Sequence, residues 1–127
     1  MAGGNFTTTQ TATTVVSATG VAAAAVTLTI PAAPAGLFNY LCFLEISQYA
    51  TAALTGGATP VLVTSTGLTG TPTFTFSTAL AIGAAERLFY PLGTPVKGSA
   101  AATAITIVCP ATTSVIWRVN VTYFVAP

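Results

Sequence analysis

The stretch Val115-Ile116-Trp117-Arg118-Val119-Asn120-Val121-Thr122-Tyr123-Phe124-Val125 decides the fold class. Val115, Trp117, Val119, Val121, Tyr123 and Val125 recur at every second residue; Arg118, Asn120 and Thr122 fall between them, with Ile116 and Phe124 at the ends. Successive side chains of a strand point to opposite faces, so this spacing gives one apolar and one polar face, the pattern of a half-buried β-strand. Trp117 and Tyr123 stand on the apolar face, where core packing is favoured over a sugar-binding platform.

The same period recurs outward from this stretch. Val26, Leu28 and Ile30 alternate with Thr27 and Thr29; Ile105 and Ile107 flank Thr106; Phe74 and Phe76 alternate with Thr73 and Thr75. Leu37–Ser47 is apolar on both faces for most of its length and reads as a central strand covered on both sides. Pro60–Thr66 and Leu88–Leu92 are further short strand candidates. Turn signals separate these runs at Pro31–Gly36, Thr55-Gly56-Gly57, Gly67–Pro72, Gly93–Gly98 and Pro110–Thr113. One helix candidate, Thr78–Arg87, is Ala-rich but carries Gly83 in its middle. About seven or eight closely spaced strands imply an all-β protein, an antiparallel β-sandwich or barrel, with a jelly-roll-like sandwich favoured. Alternation alone does not fix the strand order.

The chain divides into an extended N-terminal arm, residues 1–20, and a β-sandwich domain, residues 21–127. Asn5–Thr14 is polar and Thr-rich, with one aromatic, Phe6, and no periodicity that would fold it alone. It reads either as a frayed terminus or as an arm that orders against a neighbour, with Phe6 as anchor, by adding a strand to an exposed sheet edge.

Composition narrows the function. The chain has 127 residues, two acidic and three basic side chains and no histidine. Soluble domains carry roughly a quarter of their residues as charge, which keeps surfaces wet and copies apart. Here the surface is either neutral and Thr-rich or covered by protein. A membrane reading of Val15–Ile30 is disfavoured by Ser17, Thr19, Gly20, Thr27 and Thr29 within it and Pro31 after it. Nothing basic precedes Arg87, so no secretory signal is expected. A formal charge of +1 gives no track for nucleic acid. Cys42 and Cys109 read as free thiols inside strands rather than as a disulfide or zinc site.

Catalysis has little to work with. Glu45 and Glu86 are the only carboxylate side chains. Glu86 adjoins Arg87, a solvated or locally paired couple, whereas Glu45 shares its strand face with Leu41 and Phe43 and needs a partner if buried. Arg118, in another strand, is the expected one. A Ser–Lys dyad of Ser99 and Lys97 rests on proximity alone. No nucleotide-binding or nucleophile-elbow motif occurs. The expectation is no catalytic residue, cofactor, metal or small-molecule substrate. Tyr49 and Tyr90, beside turns, are expected at the surface. Phe6, Glu45, Arg118, Tyr49 and Tyr90 are therefore the candidates for interface or register roles. With so little charge to protect its sheet edges, the domain is expected to associate with copies of itself.

Leu44-Glu45-Ile46-Ser47-Gln48-Tyr49-Ala50-Thr51-Ala52-Ala53-Leu54-Thr55-Gly56 and Ile116-Trp117-Arg118-Val119-Asn120-Val121-Thr122-Tyr123 resemble small β-sandwich structural proteins of tailed bacteriophages, most of all capsid decoration, or cement, proteins. The resemblance is one of style over residues 21–127, without a diagnostic motif. It implies a homo-oligomer, often a trimer, that is made in the host cytoplasm, sits on the capsid surface and clamps the major capsid protein. It transfers no functional residue. The rival expectations are a head-fibre or tail receptor-binding module with an exposed aromatic platform, and an exported pilus or surface-layer subunit.

Overall fold

The computed structural model describes residues 12–127. Its strands are β1 (Thr14–Thr19), β2 (Val26–Ile30), β3 (Phe38–Ala50), β4 (Val61–Thr66), β5 (Phe74–Phe76), β6 (Ala85–Lys97), β7 (Ile105–Cys109) and β8 (Val115–Ala126). No helix occurs among the described residues. The strands form two antiparallel sheets, β1-β8-β3-β6 (sheet one) and β2-β7-β4-β5 (sheet two), packed face to face as a β-sandwich. Pairing is nested: the first strand pairs with the last, β2 with β7, β3 with β6 and β4 with β5.

Alternation builds the core. Val115, Trp117, Val119 and Val121 of β8 are fully buried, as are Ile46 of β3, Ile30 of β2, Val63 of β4 and Ile105 and Ile107 of β7. Each such aliphatic side chain contributes about 1.5–3 kcal/mol by leaving water. Trp117 meets Phe76 of the opposite sheet edge to face, with ring centroids 5.1 Å apart, an arrangement that suits the ring quadrupoles. Its indole N–H donates to the Pro110 carbonyl at 2.9 Å, so no polar atom of the ring is stranded.

Local differences from the sequence reading have physical causes. Residues 14–19, within the stretch read as an arm, form an edge strand on β8, and Val16 and Ala18 pack against the core. The sandwich thus begins at β1, while Phe6 lies outside the described residues. The Thr78–Arg87 helix is absent. Gly83 adopts φ +78°, its N–H donates to the Ala50 carbonyl at 2.8 Å, and β6 starts two residues later. Gly93–Gly98 is no simple turn, because β6 runs on to Lys97.

A β-bulge governs β3. Upstream, Asn39 and Leu41 face the core; downstream, Leu44, Ile46, Gln48 and Ala50 do. The extra residue lies between Leu41 and Phe43 and moves Phe43 and Glu45 to the outer face. On β6 the same place spans Pro91 to Val96, so that strand leaves the ladder there. The expected central strand is found, but it is covered on one side only: its inner face is buried against sheet two, while its outer face carries no second layer among the described residues and is half-buried along most of its length by neighbouring side chains.

The turn after β4 offers a controlled test of backbone constraint. Gly67 and Gly70 have φ of +79° and +82°, but a Cβ on Gly67 would run into the Ala104 carbonyl, whereas Gly70 has nothing within 4 Å. Gly70→Ala is expected to cost about 1–2 kcal/mol for the left-handed backbone. Gly67→Ala should cost about 1–3 kcal/mol more, from overpacking. Paired thermal melts check this, and equal losses would contradict the clash.

Candidate interaction surface

Register lines up the outward side chains of sheet one in rows. Thr19, Arg118, Ser47 and Arg87 form one row; Ser17, Asn120, Glu45 and Phe89 the next; Val15, Thr122, Phe43 and Pro91 the third. Arg87 Nη1 lies 3.1 Å from Glu45 Oε2, and Asn120 Nδ2 donates to Glu45 Oε1 at 2.9 Å. The Arg87 guanidinium stands 5.5 Å over the Phe89 ring, and Phe89 meets Phe43 edge to face at 5.0 Å. Towards the other end of the sheet, Tyr40 stacks on Phe124 at 4.9 Å. There Lys97 Nζ sits 3.9 Å from the Phe38 ring centroid. Such cation–π contacts hold long cationic chains flat against the sheet.

The expected Glu45–Arg118 pair is replaced by Glu45–Arg87. Arg118 and Arg87 flank Ser47 from opposite sides, each one row away from Glu45, and only Arg87 reaches the carboxylate. The exposed Arg118 side chain borders a groove of about 420 Å³ with Ser47, Tyr49, Ala85 and Ile116. No ion pair of Arg118 occurs among the described residues. Tyr49 and Tyr90 are indeed exposed, as is Phe89.

Glu86 and Arg87 are not a local pair either, because consecutive strand residues face opposite ways. Glu86 turns towards the fully buried Gln48: its Oε1 accepts from Gln48 Nε2 at 2.7 Å and from the Ser77 N–H at 2.8 Å. Gln48 Nε2 also donates to the Ser77 carbonyl at 3.0 Å. This clip fastens the approach to β6 against β3. The two carboxylates thus belong to opposite faces of one sheet and do not flank a common cleft, as a glycosidase pair would.

Sheet two presents different chemistry. Thr27, Thr29, Thr64, Thr66 and Thr75 are exposed on its outer face, with Thr106, Val108 and Leu62 among them and no charged residue. The hydroxyls of Thr66 and Thr106 hydrogen-bond across β4 and β7. At one end, a groove of about 850 Å³ is bordered by Thr55, Thr59, Thr78, Thr112 and Ser114 with apolar neighbours, and no acid or base lines it. Lys97 lies instead over the Phe38 ring, and the Ser99 N–H donates to the Gly67 carbonyl at 2.7 Å. The described residues hold no cluster of three His, Cys, Asp or Glu, and no helix long and apolar enough to cross a membrane.

The sheet edges also differ. β6 carries Pro91 and Pro95, which lack the N–H needed to recruit another strand. β1 and β2, which adjoin each other on the opposite side of the sandwich, carry neither proline nor charge. Both cysteines are free thiols, Cys109 in the core and Cys42 half-buried.

No known protein family, curated protein or solved structure matches this chain significantly. Function must therefore be read from the surfaces themselves. Sequence reasoning missed Arg87, Lys97, Phe89 and Gln48; the alternation of Glu86-Arg87-Leu88-Phe89 was the available signal for the first and third.

Glu86→Ala should lose about 2–3 kcal/mol of stability by leaving the Ser77 N–H and one of the two Gln48 Nε2 hydrogens without an acceptor, the other still reaching the Ser77 carbonyl. Glu86→Gln keeps an acceptor and should lose less. Arg118→Ala should stay within about 0.5 kcal/mol of the parent, as an exposed unpaired side chain does. Urea titrations check all three, and a large loss for Arg118→Ala would restore the pairing with Glu45.

Burial pushes the Cys109 thiol up to about 12 and the Cys42 thiol above its ordinary value. An unfolded thiol ionises near 8.5. The folded state therefore retains the Cys109 proton while the unfolded state loses it, and stability falls as pH rises from about 9 towards 12. Cys109→Ser should flatten that part of the pH–stability curve. Undiminished steepness in the variant would show that other groups cause it.

Proposed function

We propose that the chain is a non-enzymatic virion structural protein, a capsid decoration or cement protein that stabilises a shell through protein–protein contacts. The observation that carries this reading is the division of chemistry between the two sheets. Glu45, Arg87, Lys97 and Arg118, four of the chain's five charged side chains, stand on the outer face of sheet one among Phe38, Tyr40, Phe43, Phe89 and Phe124. The outer face of sheet two offers Thr hydroxyls and methyls. A face that combines aromatic area with arginine has the composition of an interface core.

Three cations against one carboxylate make that face electropositive, which fits an acidic patch on a major capsid protein. The unprotected β1 and β2 edges suit contacts between copies, consistent with a homo-oligomer, a trimer in the proteins it resembles. We also read the nested pairing of eight strands across two sheets as a jelly roll. In this reading the protein needs no cofactor, nucleic acid, membrane or small-molecule substrate. It is made in the host cytoplasm and works on the capsid surface.

A contact patch of standard size, about 1,600 Å² in total, repeated over a shell, would resist the outward pressure of packaged DNA. Particles assembled without the protein should close but release DNA at lower temperature, and added protein should restore them. Arg87→Glu with Arg118→Glu should weaken particle binding at least about tenfold, while Thr29→Ser with Thr64→Ser should not. Unchanged particle stability together with lost host attachment would instead assign the protein to the receptor-binding class, through exposed Tyr49, Phe89 and Tyr90.

A further inference from the structure

The two long sides of the sandwich are not equivalent. On one side β1 and β2 close it. On the other, β5 is only three residues long, and β6 leaves the β3 ladder between Pro91 and Val96. The result is an apolar cleft of about 260 Å³ between the sheets, lined chiefly by Leu41, Leu44, Leu68, Phe74, Tyr90 and Val96. Phe74 lies at its wall, and Tyr90, 46% exposed, stands at its rim, the two rings 6.2 Å apart. The cleft is wide enough for one aromatic ring and offers no charge to a polar guest.

Residues 1–11, outside the described part of the chain, contain one aromatic, Phe6, among Met, Ala, Gly, Asn, Thr and Gln. Thr14 stands in one row with Tyr123, Leu41 and Val96, so the chain enters β1 at the level of the cleft but on the opposite edge of sheet one. Three strand spacings separate the two edges, about 14 Å. The eight residues from Phe6 to Thr14 span up to about 26 Å when extended. Followed from Thr19 to Thr14, β1 points along β8 towards Phe124 rather than across the sheet to the cleft. Filling its own cleft would require the chain to reverse around the sandwich, whereas a neighbouring copy can be met directly.

We propose that Phe6 of one copy anchors the 1–11 segment in the Leu41–Phe74–Tyr90–Val96 cleft of a second copy. The inference rests on the self-association part of the proposed function, but not on any capsid. The ring covers apolar surface that the interrupted β6 leaves open, and the Thr-rich residues beside it can hydrogen-bond to the free edge of β5. This arm exchange joins opposite edges of two copies and so propagates head to tail, closing into a ring when the rotation permits.

The test uses the free, full chain in the absence of particles. Phe6→p-benzoylphenylalanine is placed in a mixture of isotopically light and heavy protein, irradiated and mapped by mass spectrometry. The expected result is light–heavy cross-links from position 6 to Phe74, Tyr90 or Val96. Cross-links confined to one chain, cross-links elsewhere, or none would overturn the proposal. In parallel, Phe6→Ala should weaken self-association in sedimentation equilibrium at least about tenfold, as loss of an aromatic anchor does, with an unchanged melting temperature; Phe6→Leu should recover part of it. A chain that is monomeric with Phe6 intact, or equally associated with Phe6→Ala, also overturns the proposal. Because no capsid enters these measurements, failure here leaves particle stabilisation standing, and failure of particle stabilisation leaves the arm contact standing.

Discussion

The pairing of β3 with β8, from Phe38 opposite Ala126 to Ala50 opposite Val115, is the constraint on which the remaining structure depends. These two strands form the middle of sheet one and present one continuous apolar face to sheet two. Their pairing cannot run evenly, because β3 changes its inward set partway along. The bulge after Leu41 absorbs that change. Without it, the inward positions of Leu44 and Ile46 would pass to Phe43 and Glu45, exposing two aliphatic side chains at about 1.5–3 kcal/mol each and burying a carboxylate. One inserted residue therefore decides both what the core contains and which charges reach the outer face.

The consequence passes to β6. A strand on the far side of a bulge must bend or let go, and β6 does the latter between Pro91 and Val96. Glycine and two prolines in that stretch tolerate the missing ladder bonds and keep the edge from recruiting further strands. The apolar cleft is the direct result: β3 still turns Leu41 and Leu44 inward, but the wall beside them is interrupted. The bulge thus links core register, edge protection and an unfilled hydrophobic opening in a single feature.

How much of this the sequence displays depends on whether a strand has one wet face. β8, β2, β7 and β5 do, and Val, Ile or Phe alternating with polar residues announces each of them. β1 is hidden because Val15 faces outward at an edge, so apolar and buried positions no longer coincide. Gly93–Pro95 carries the residue types of a turn, and nothing local distinguishes a turn from an interrupted edge strand. The partner of Glu45 is not legible because β8, β3 and β6, distant in sequence, meet around it, and the direction in which a long side chain leans decides between two equally placed arginines. Arg87 and Arg118 both stand opposite Ser47, one row from Glu45, and it is the Arg87 side chain that leans diagonally onto the carboxylate. The Gln48 clip was illegible for the same reason, since its three parts come from β3, β6 and the segment before β6.

Scarcity of charge takes on a different meaning once its location is known. Five charged side chains are too few to keep copies apart, and they are not distributed as if that were their task. Arg87 and Lys97 lie over aromatic rings, and Glu45 is held by two donors. Fixed charges of this kind lose less conformational entropy on binding than free ones, so they favour a docked state rather than a hydrated one. The Thr face of sheet two works by other physics: hydroxyls that hydrate at little cost, methyls that add area, and no charge for salt to screen. Contacts through sheet one should therefore weaken with ionic strength, while contacts through sheet two should not. A protein with the same few charges scattered over both faces would lack that distinction, and either face could then meet any neighbour.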